Sequence, residues 1–420
     1  MSRQQHTPKH SEQVQDVNPR RLAWHCLQRW GQGGIFAETL IERECCHVPA
    51  RKRAAVQAMV LGTLRNLRWL EHLCGRLRSG HLEDSARWLA LLGLCQLFVL
   101  RKPAHAAVGE TVALAPQRLR GLINGMLRNA VRRQEEFTSN LTALPLGVRY
   151  SVPDWLAERW CAEFGREEAE QMLAWNIGTP PVYGRVNPLN PPCIGEDWVA
   201  LPQAPGWYRL PVGLPFDDLR NGRIYVADPS TRYCVQLLAP QPGERVLDAC
   251  AAPGGKSVAM IGATAGRIDL LCTDAEEHRL PQLRENLLRA GGEHVEVQQH
   301  DWSLPCPPQW KSAFDAVLLD VPCSNSGVLQ RRVDARWRLQ PSEMERLAQL
   351  QLRILSCACE AVRPGGRLVY STCSIDRAED RAVVEAFLAT HPNFRLVEDY
   401  LALPHREQAD GAYAALLQAD

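Results

Sequence analysis

The spacing of apolar residues changes once along this chain of 420 residues, and that change constrains the fold more than any other feature. Through 19–133, apolar side chains return every three or four positions, in Leu22–Trp30, Ala54–Leu73, Ser85–Leu100 and Leu119–Val131. Prolines at 49, 103 and 116 fall between these segments, where helices should break. From about 226, short apolar runs alternate with helical stretches. Strands are expected at Arg245–Cys250, Ile268–Asp274, Val295–His300, Asp315–Asp320, Arg367–Ser371, Phe394–Val397 and Tyr413–Leu417. Helices are expected between them, as at Glu277–Ala290 and Glu343–Val362. The chain therefore reads as an all-α domain followed by an α/β domain with a mostly parallel sheet covered on both faces. Residues 139–225 are rich in Pro, Trp and Gly, with a helix start at Ser151–Trp155 and a strand at Pro181–Asn187. The expected organisation is a disordered tail (1–18), a helical domain (19–138), a small α+β linking module (139–225) and the α/β domain (226–420).

Composition narrows the function. No run approaches the roughly 18 apolar residues of a membrane span, and the polar N-terminus lacks the apolar core of a secretory leader. Most of the 15 cysteines sit singly in apolar runs without paired zinc-type spacing, so buried thiols in a reducing cytoplasm are expected, and no metal site. Residues 1–140 carry 21 Lys and Arg against 11 Asp and Glu, a balance of +10; the remainder carries 27 against 36, a balance of −9. A basic module joined to an acidic one suggests a polyanion on the basic part.

Ligands of parallel sheets lie at the carboxyl ends of strands. The first strand of the α/β region ends in Asp248-Ala249-Cys250-Ala251-Ala252-Pro253-Gly254-Gly255-Lys256, whose small residues let a ligand approach the backbone beside a helix N-terminus. It matches neither a Walker loop nor Gly-x-Gly-x-x-Gly, which disfavours a nucleoside triphosphate or dinucleotide. Asp274 ends the second strand and could accept two ribose hydroxyls; Asp301 follows the third and could take an adenine amino group. This order suits S-adenosylmethionine. The fourth strand ends Asp320-Val321-Pro322-Cys323 and the fifth Ser371-Thr372-Cys373-Ser374. Methylating carbon 5 of a cytosine requires a thiolate to add at C6 and an acid at N3. Asp320, with burial raising its pKa, could supply the acid, and either cysteine the thiolate.

Three helical segments, Gly33–Leu40, Val60–Arg65 and Leu122–Asn129, resemble the NusB-like RNA-binding domain. Residues 181–420 resemble the NOL1/NOP2/Sun family of RNA cytosine-C5 methyltransferases, through Asp248–Lys256, through Asp320, Pro322 and Cys323 followed by Ser324, Gly327 and Arg331–Trp337, and through Thr372-Cys373-Ser374. The resemblance implies a Rossmann-like class I methyltransferase domain using S-adenosylmethionine. It implies that Cys373 is the nucleophile, that Cys323 helps release product, and that Asp320 faces both donor and cytosine. Donor contacts fall on Cys250, Ala251, Ala252, Pro253, Gly254, Gly255, Lys256, Asp274 and Asp301. With the NusB-like domain it implies structured small-subunit ribosomal RNA as partner of a monomer, with Arg185, Asn187, Arg331, Arg65 and Arg128 as RNA contacts. The same chemistry on transfer RNA, or a non-catalytic ribosome assembly factor, are the alternatives.

Overall fold

The computed structural model describes residues 17–211 and 213–420. Its contacts divide the chain at Ile177/Gly178 into two compact units. The residues expected to form one linking module are thus shared: the helices up to Asn176 join the first unit and the strands from Tyr183 join the second. The expected tail lies, through residue 16, outside the described residues. Asn18 already belongs to the fold, its side-chain oxygen accepting from the Arg20 and Arg21 amides at 2.9 and 3.4 Å as an N-cap.

The first unit is all helical. Pro49, Pro103 and Pro116 each stand at the N-cap of the next helix, at Ala50–Arg65, Ala104–Leu114 and Gln117–Arg132. They begin helices as much as they end them, because a helix N-terminus needs no amide donor from its first residues. The expected segment Ala54–Leu73 is broken at Asn66, whose side chain donates to the Gly62 carbonyl at 2.9 Å. Gly33 and Gly34, both at φ +84°, make the left-handed turn between Pro19–Gly31 and Ala37–Glu44.

The second unit opens with a small antiparallel sheet of four strands, β1 (Tyr183–Val186), β2 (Val199–Ala200), β3 (Trp207–Arg209) and β4 (Ile224–Val226), in the order β2-β3-β1-β4. Seven strands follow: β5 (Arg245–Asp248), β6 (Asp269–Asp274), β7 (Glu296–Gln299), β8 (Phe314–Asp320), β9 (Val362–Thr372), β10 (Phe394–Ala402) and β11 (Ala412–Ala419). They lie in the order β10-β11-β9-β8-β5-β6-β7, with β9 through β7 parallel and the last two antiparallel.

Successive side chains point to opposite faces of a strand. Leu247, Val317, Leu319, Leu368 and Tyr370 pack into one core, and Val246, Ala316, Leu318 and Val369 into the other. Both faces are therefore covered, as continuous apolar runs in a parallel sheet require. The strand order reverses between β5 and β8, so the carboxyl ends of those two strands flank the crevice where such sheets bind ligands.

Candidate active site

The loop after β5 is held in place by its neighbours. Ala251 donates its amide to the Thr273 carbonyl at 2.8 Å and Ala252 to Asp274 Oδ2 at 3.1 Å, while Asn286 Nδ2 donates to the Pro253 carbonyl at 2.7 Å. Gly254 sits at φ +107°, and a side chain there would press on Leu283 Cδ1 at 3.0 Å. Cys250, Ala251, Ala252, Pro253, Gly255 and Lys256 line a cavity of about 380 Å³, together with Asp248, Asp320 and Tyr225. Asp248 is wholly buried; Oδ2 accepts from Ser257 at 2.6 Å, and Oδ1 has no partner. Burial pushes its pKa up to about 7. Burial likewise raises the Cys250 thiol far above its ordinary range.

The aspartates expected at the next two strand ends do not line this cavity. Asp274 is buried, with Oδ1 accepting from the Glu276 amide at 3.1 Å and Oδ2 lying 3.2 Å from the Arg279 guanidinium. It fastens the loop rather than facing the cavity. Asp301 is exposed and accepts from the Ser303 amide at 2.8 Å, which makes it a turn residue.

Asp320 differs from the buried acid expected. Its side chain keeps 32% of its surface exposed, and Oδ2 lies 2.5 Å from the Lys256 ammonium. Lys256, the second residue of the helix Gly255–Ala263, thus meets the last residue of β8. Lys256 is held well above the usual lysine range by Asp320, against the opposing effect of its own burial.

The two thiols meet because β8 and β9 are adjacent and parallel. Asp320 pairs with Ser371, so chain leaving the two strands turns at one edge of the sheet. Cys323 Sγ and Cys373 Sγ lie 3.0 Å apart. Cys323 is buried, and its pKa is raised far above 9.0, first by the bond to Cys373 and then by burial. Cys373 is half-buried and donates to Asn325 Oδ1 at 3.3 Å, while Asn325 Nδ2 donates to the Cys323 carbonyl at 3.0 Å. Asn325 reaches both from φ +62°, a conformation that asparagine tolerates better than most residues. Below it, buried Glu379 accepts through Oε1 from the Ser324 amide at 2.9 Å and from Gln351 at 3.0 Å. Asn325 and Glu379 were missed from sequence. The Asn after Pro-Cys-Ser was a signal for the first; nothing local marks the second.

Of the expected RNA residues, three are engaged or enclosed within the protein. Arg331 spends its guanidinium on Asp410 at 2.8 Å, Asp228 at 2.7 Å and the Pro181 carbonyl at 2.9 Å. Asp410 is buried among these groups, which pushes its pKa up to about 7. Asn187 is buried and donates to the Gly222 and Ala290 carbonyls at 2.9 and 3.3 Å. Arg65 is largely inside the helical unit, and burial lowers its pKa. Arg128 is exposed, bonded to Asn124 at 3.0 Å, and Arg185 lies beside the donor loop with Nη2 3.3 Å from the Gly255 carbonyl.

Residues 235–418 match the family described as 16S rRNA methyltransferase RsmB/F, and residues 17–132 match the NusB family. The Ribosomal RNA small subunit methyltransferase B of Serratia proteamaculans is 37% identical over 397 residues, covering 87% of this chain and 90% of that protein. Its counterpart from Klebsiella pneumoniae (strain 342) is 33% identical over 96% of this chain and 98% of its own length. The chain belongs to the RsmB/F methyltransferase family. It is an S-adenosylmethionine-dependent methyltransferase with a NusB-like helical domain. Its fold is similar to that of the crystal structure of PH0851, with a TM-score of 0.76 and 22% identity over 96% of this chain and 99% of that one. It is also similar to NSun6 from Pyrococcus horikoshii, solved with SFG, with a TM-score of 0.53 and 20% identity over 64% of this chain and 98% of that one. Among the described residues no helix is long and apolar enough to cross a membrane.

Proposed function

We propose that this enzyme methylates C5 of a cytosine in 16S ribosomal RNA through a covalent bond between Cys373 and C6. The observation that carries this reading is the thiol pair at 3.0 Å, one strand end away from the Lys256–Asp320 pair. A methyltransferase acting on nitrogen or oxygen has no use for two facing thiols. Cys323 is the member held protonated, which leaves the attacking thiolate to the more exposed Cys373.

The cavity residues fit the donor. Small residues and loop backbone leave room for it, and the orphaned Asp248 Oδ1 suits a cationic amino group in a buried place. Asp274 contributes by holding the loop at Ala252. S-adenosylmethionine supplies an electrophilic methyl group when bound there. The chain does the rest. The Cys373 thiolate adds to C6 while Asp320, held by Lys256, assists at N3, so that C5 becomes nucleophilic. After C5 is alkylated, its proton passes to a base and the C6–S bond breaks. Cys323 donates to the departing sulfur and so promotes release.

The relatives are named for the small ribosomal subunit, and their match extends through the NusB-like unit. That unit, with the exposed Arg128, holds structured RNA by its phosphates, and the enzyme works as a cytoplasmic monomer with reduced thiols.

Two variants test the chemistry. Cys373→Ala should abolish methylation, whereas Cys323→Ala should accumulate a covalent RNA adduct visible on denaturing gels. An active Cys373→Ala enzyme would overturn the assignment. Bisulfite mapping of ribosomal and transfer RNA from a deletion strain tests the substrate; loss of a mark only from transfer RNA would exclude 16S ribosomal RNA.

A further inference from the structure

A second cavity, of about 290 Å³, lies on the other flank of the donor loop. Strands β1 and β4 form one wall, and the helices Gly255–Ala263 and Leu280–Arg289 form the other. Its polar lining consists of two arginines, Arg185 and Arg289, with amides such as Asn286 and the Tyr225 phenol; no carboxylate lines it. Arg289 donates to the Asn286 side chain, and Arg185 to the Gly255 carbonyl at 3.3 Å. The Arg185 guanidinium also lies 5.8 Å from the centre of the Trp207 ring. Neither arginine forms an ion pair among the described residues.

Arg289 is exposed and Arg185 partly buried. Arg331 is matched by two buried carboxylates and Arg367 by Glu244 at 2.6 Å. Arg185 has no carboxylate lining its cavity, and its partial burial lowers its pKa to about 10. A partly buried cation without a counter-charge carries a desolvation cost in the free enzyme. Tyr225 stands among three cations, since Arg185, Arg289 and Lys256 all act on its phenol. Tyr225, Val226 and Pro253 line both this cavity and the donor cavity, so the two are neighbours sharing a wall.

We infer that the Arg185–Arg289 cavity binds a phosphodiester group of the RNA strand whose base enters the donor cavity. The missing counter-charge is then the substrate's own. Arginine suits the task because its planar fork meets two phosphate oxygens at once. The inference rests on the reading of the enzyme as an RNA methyltransferase and adds Arg289, distant in sequence from every motif, to the substrate contacts.

The test uses the full chain and the variants Arg289→Gln and Arg185→Met. Binding of protein-free 16S ribosomal RNA, and separately of bulk transfer RNA, is measured across a salt series. Each variant should weaken binding and reduce the slope of log K against log salt by about one. S-adenosylmethionine affinity of Arg289→Gln, measured by calorimetry, should stay unchanged. Unchanged salt slopes with both RNAs would overturn the inference. So would inorganic phosphate binding that both variants lose while their RNA slopes hold, since the site would then serve a small anion. Should the slopes fall with transfer RNA alone, the phosphate site stands and the ribosomal assignment fails.

Discussion

Cys323 Sγ and Cys373 Sγ lie 3.0 Å apart, although 50 residues separate them in the chain. Adjacent parallel strands bring them there, and the buried member is the one held protonated. A thiolate on Cys373 therefore has a built-in hydrogen-bond donor, which stabilises the sulfur both before attack and on departure.

The same proximity makes the pair oxidisable. With diamide as oxidant, the two thiols should lose two hydrogens and close to a disulfide, the diamide being reduced to the hydrazine. Activity should vanish and return with dithiothreitol. Intact mass should show the loss of two hydrogens, absent in Cys323→Ser. Full activity of the oxidised, cross-linked protein would contradict the nucleophile assignment.

Asn325 ties both cysteines together, so Asn325→Gly tests its amide while permitting the left-handed backbone. We expect kcat to fall about 10-fold or more, with KM for donor unchanged, because the variant loses the contact that positions Cys373. A loss seen only in melting temperature would assign Asn325 a structural role.

Lys256→Met and Asp320→Asn should each lower kcat by about 10²–10⁴-fold, the range for loss of general acid–base assistance. Circular dichroism should show both variants folded. The double variant should lose little more than either single, because the two groups act as one unit at 2.5 Å.

Asp248 links stability to pH. Its folded pKa of about 7 lies above the ordinary 3.8, so the folded protein holds a proton that the unfolded chain releases. Stability from this group is complete below about pH 4 and is lost as pH rises toward 7, at no more than about 1.4 kcal/mol per pH unit. Asp248→Asn should flatten that decline in chemical denaturation series between those limits.

Glu379→Gln keeps the shape but weakens the acceptor beneath the Cys323 turn. We expect destabilisation of about 1–3 kcal/mol by urea titration, as for a weakened buried charged hydrogen bond. Release of the covalent adduct should slow at the same time, because the Ser324 amide anchors the turn that carries Cys323.

Much of this was legible in the chain itself. Period alone separates the helical region from the α/β region, since Leu22–Trp30 can bury a stripe only as a helix and Val246–Leu247 both faces only within a covered sheet. Strand ends could be placed because apolar runs stop at Asp274 and Asp320, which are the ends observed, whereas the first strand stops at Asp248, two residues before the expected Cys250. The small residues of the donor loop and the two Cys-bearing strand ends are local signals, so they survive translation into three dimensions.

What a side chain does at such an edge depends on partners far away in the chain, and local sequence carries no record of them. Arg331 reads as an RNA contact until Asp228 and Asp410 enclose it, and Asn187 until two carbonyls from 35 and 103 residues away claim its amide. Asp320 reads as a buried acid until Lys256 reaches it across 64 residues. The local chemistry of the sequence could not rank the two thiols; only the family resemblance did. The strand order β9-β8-β5 alone sets them against each other, buries one and exposes the other, because hydrogen-bonded neighbours in a sheet are chosen by packing rather than by distance along the chain.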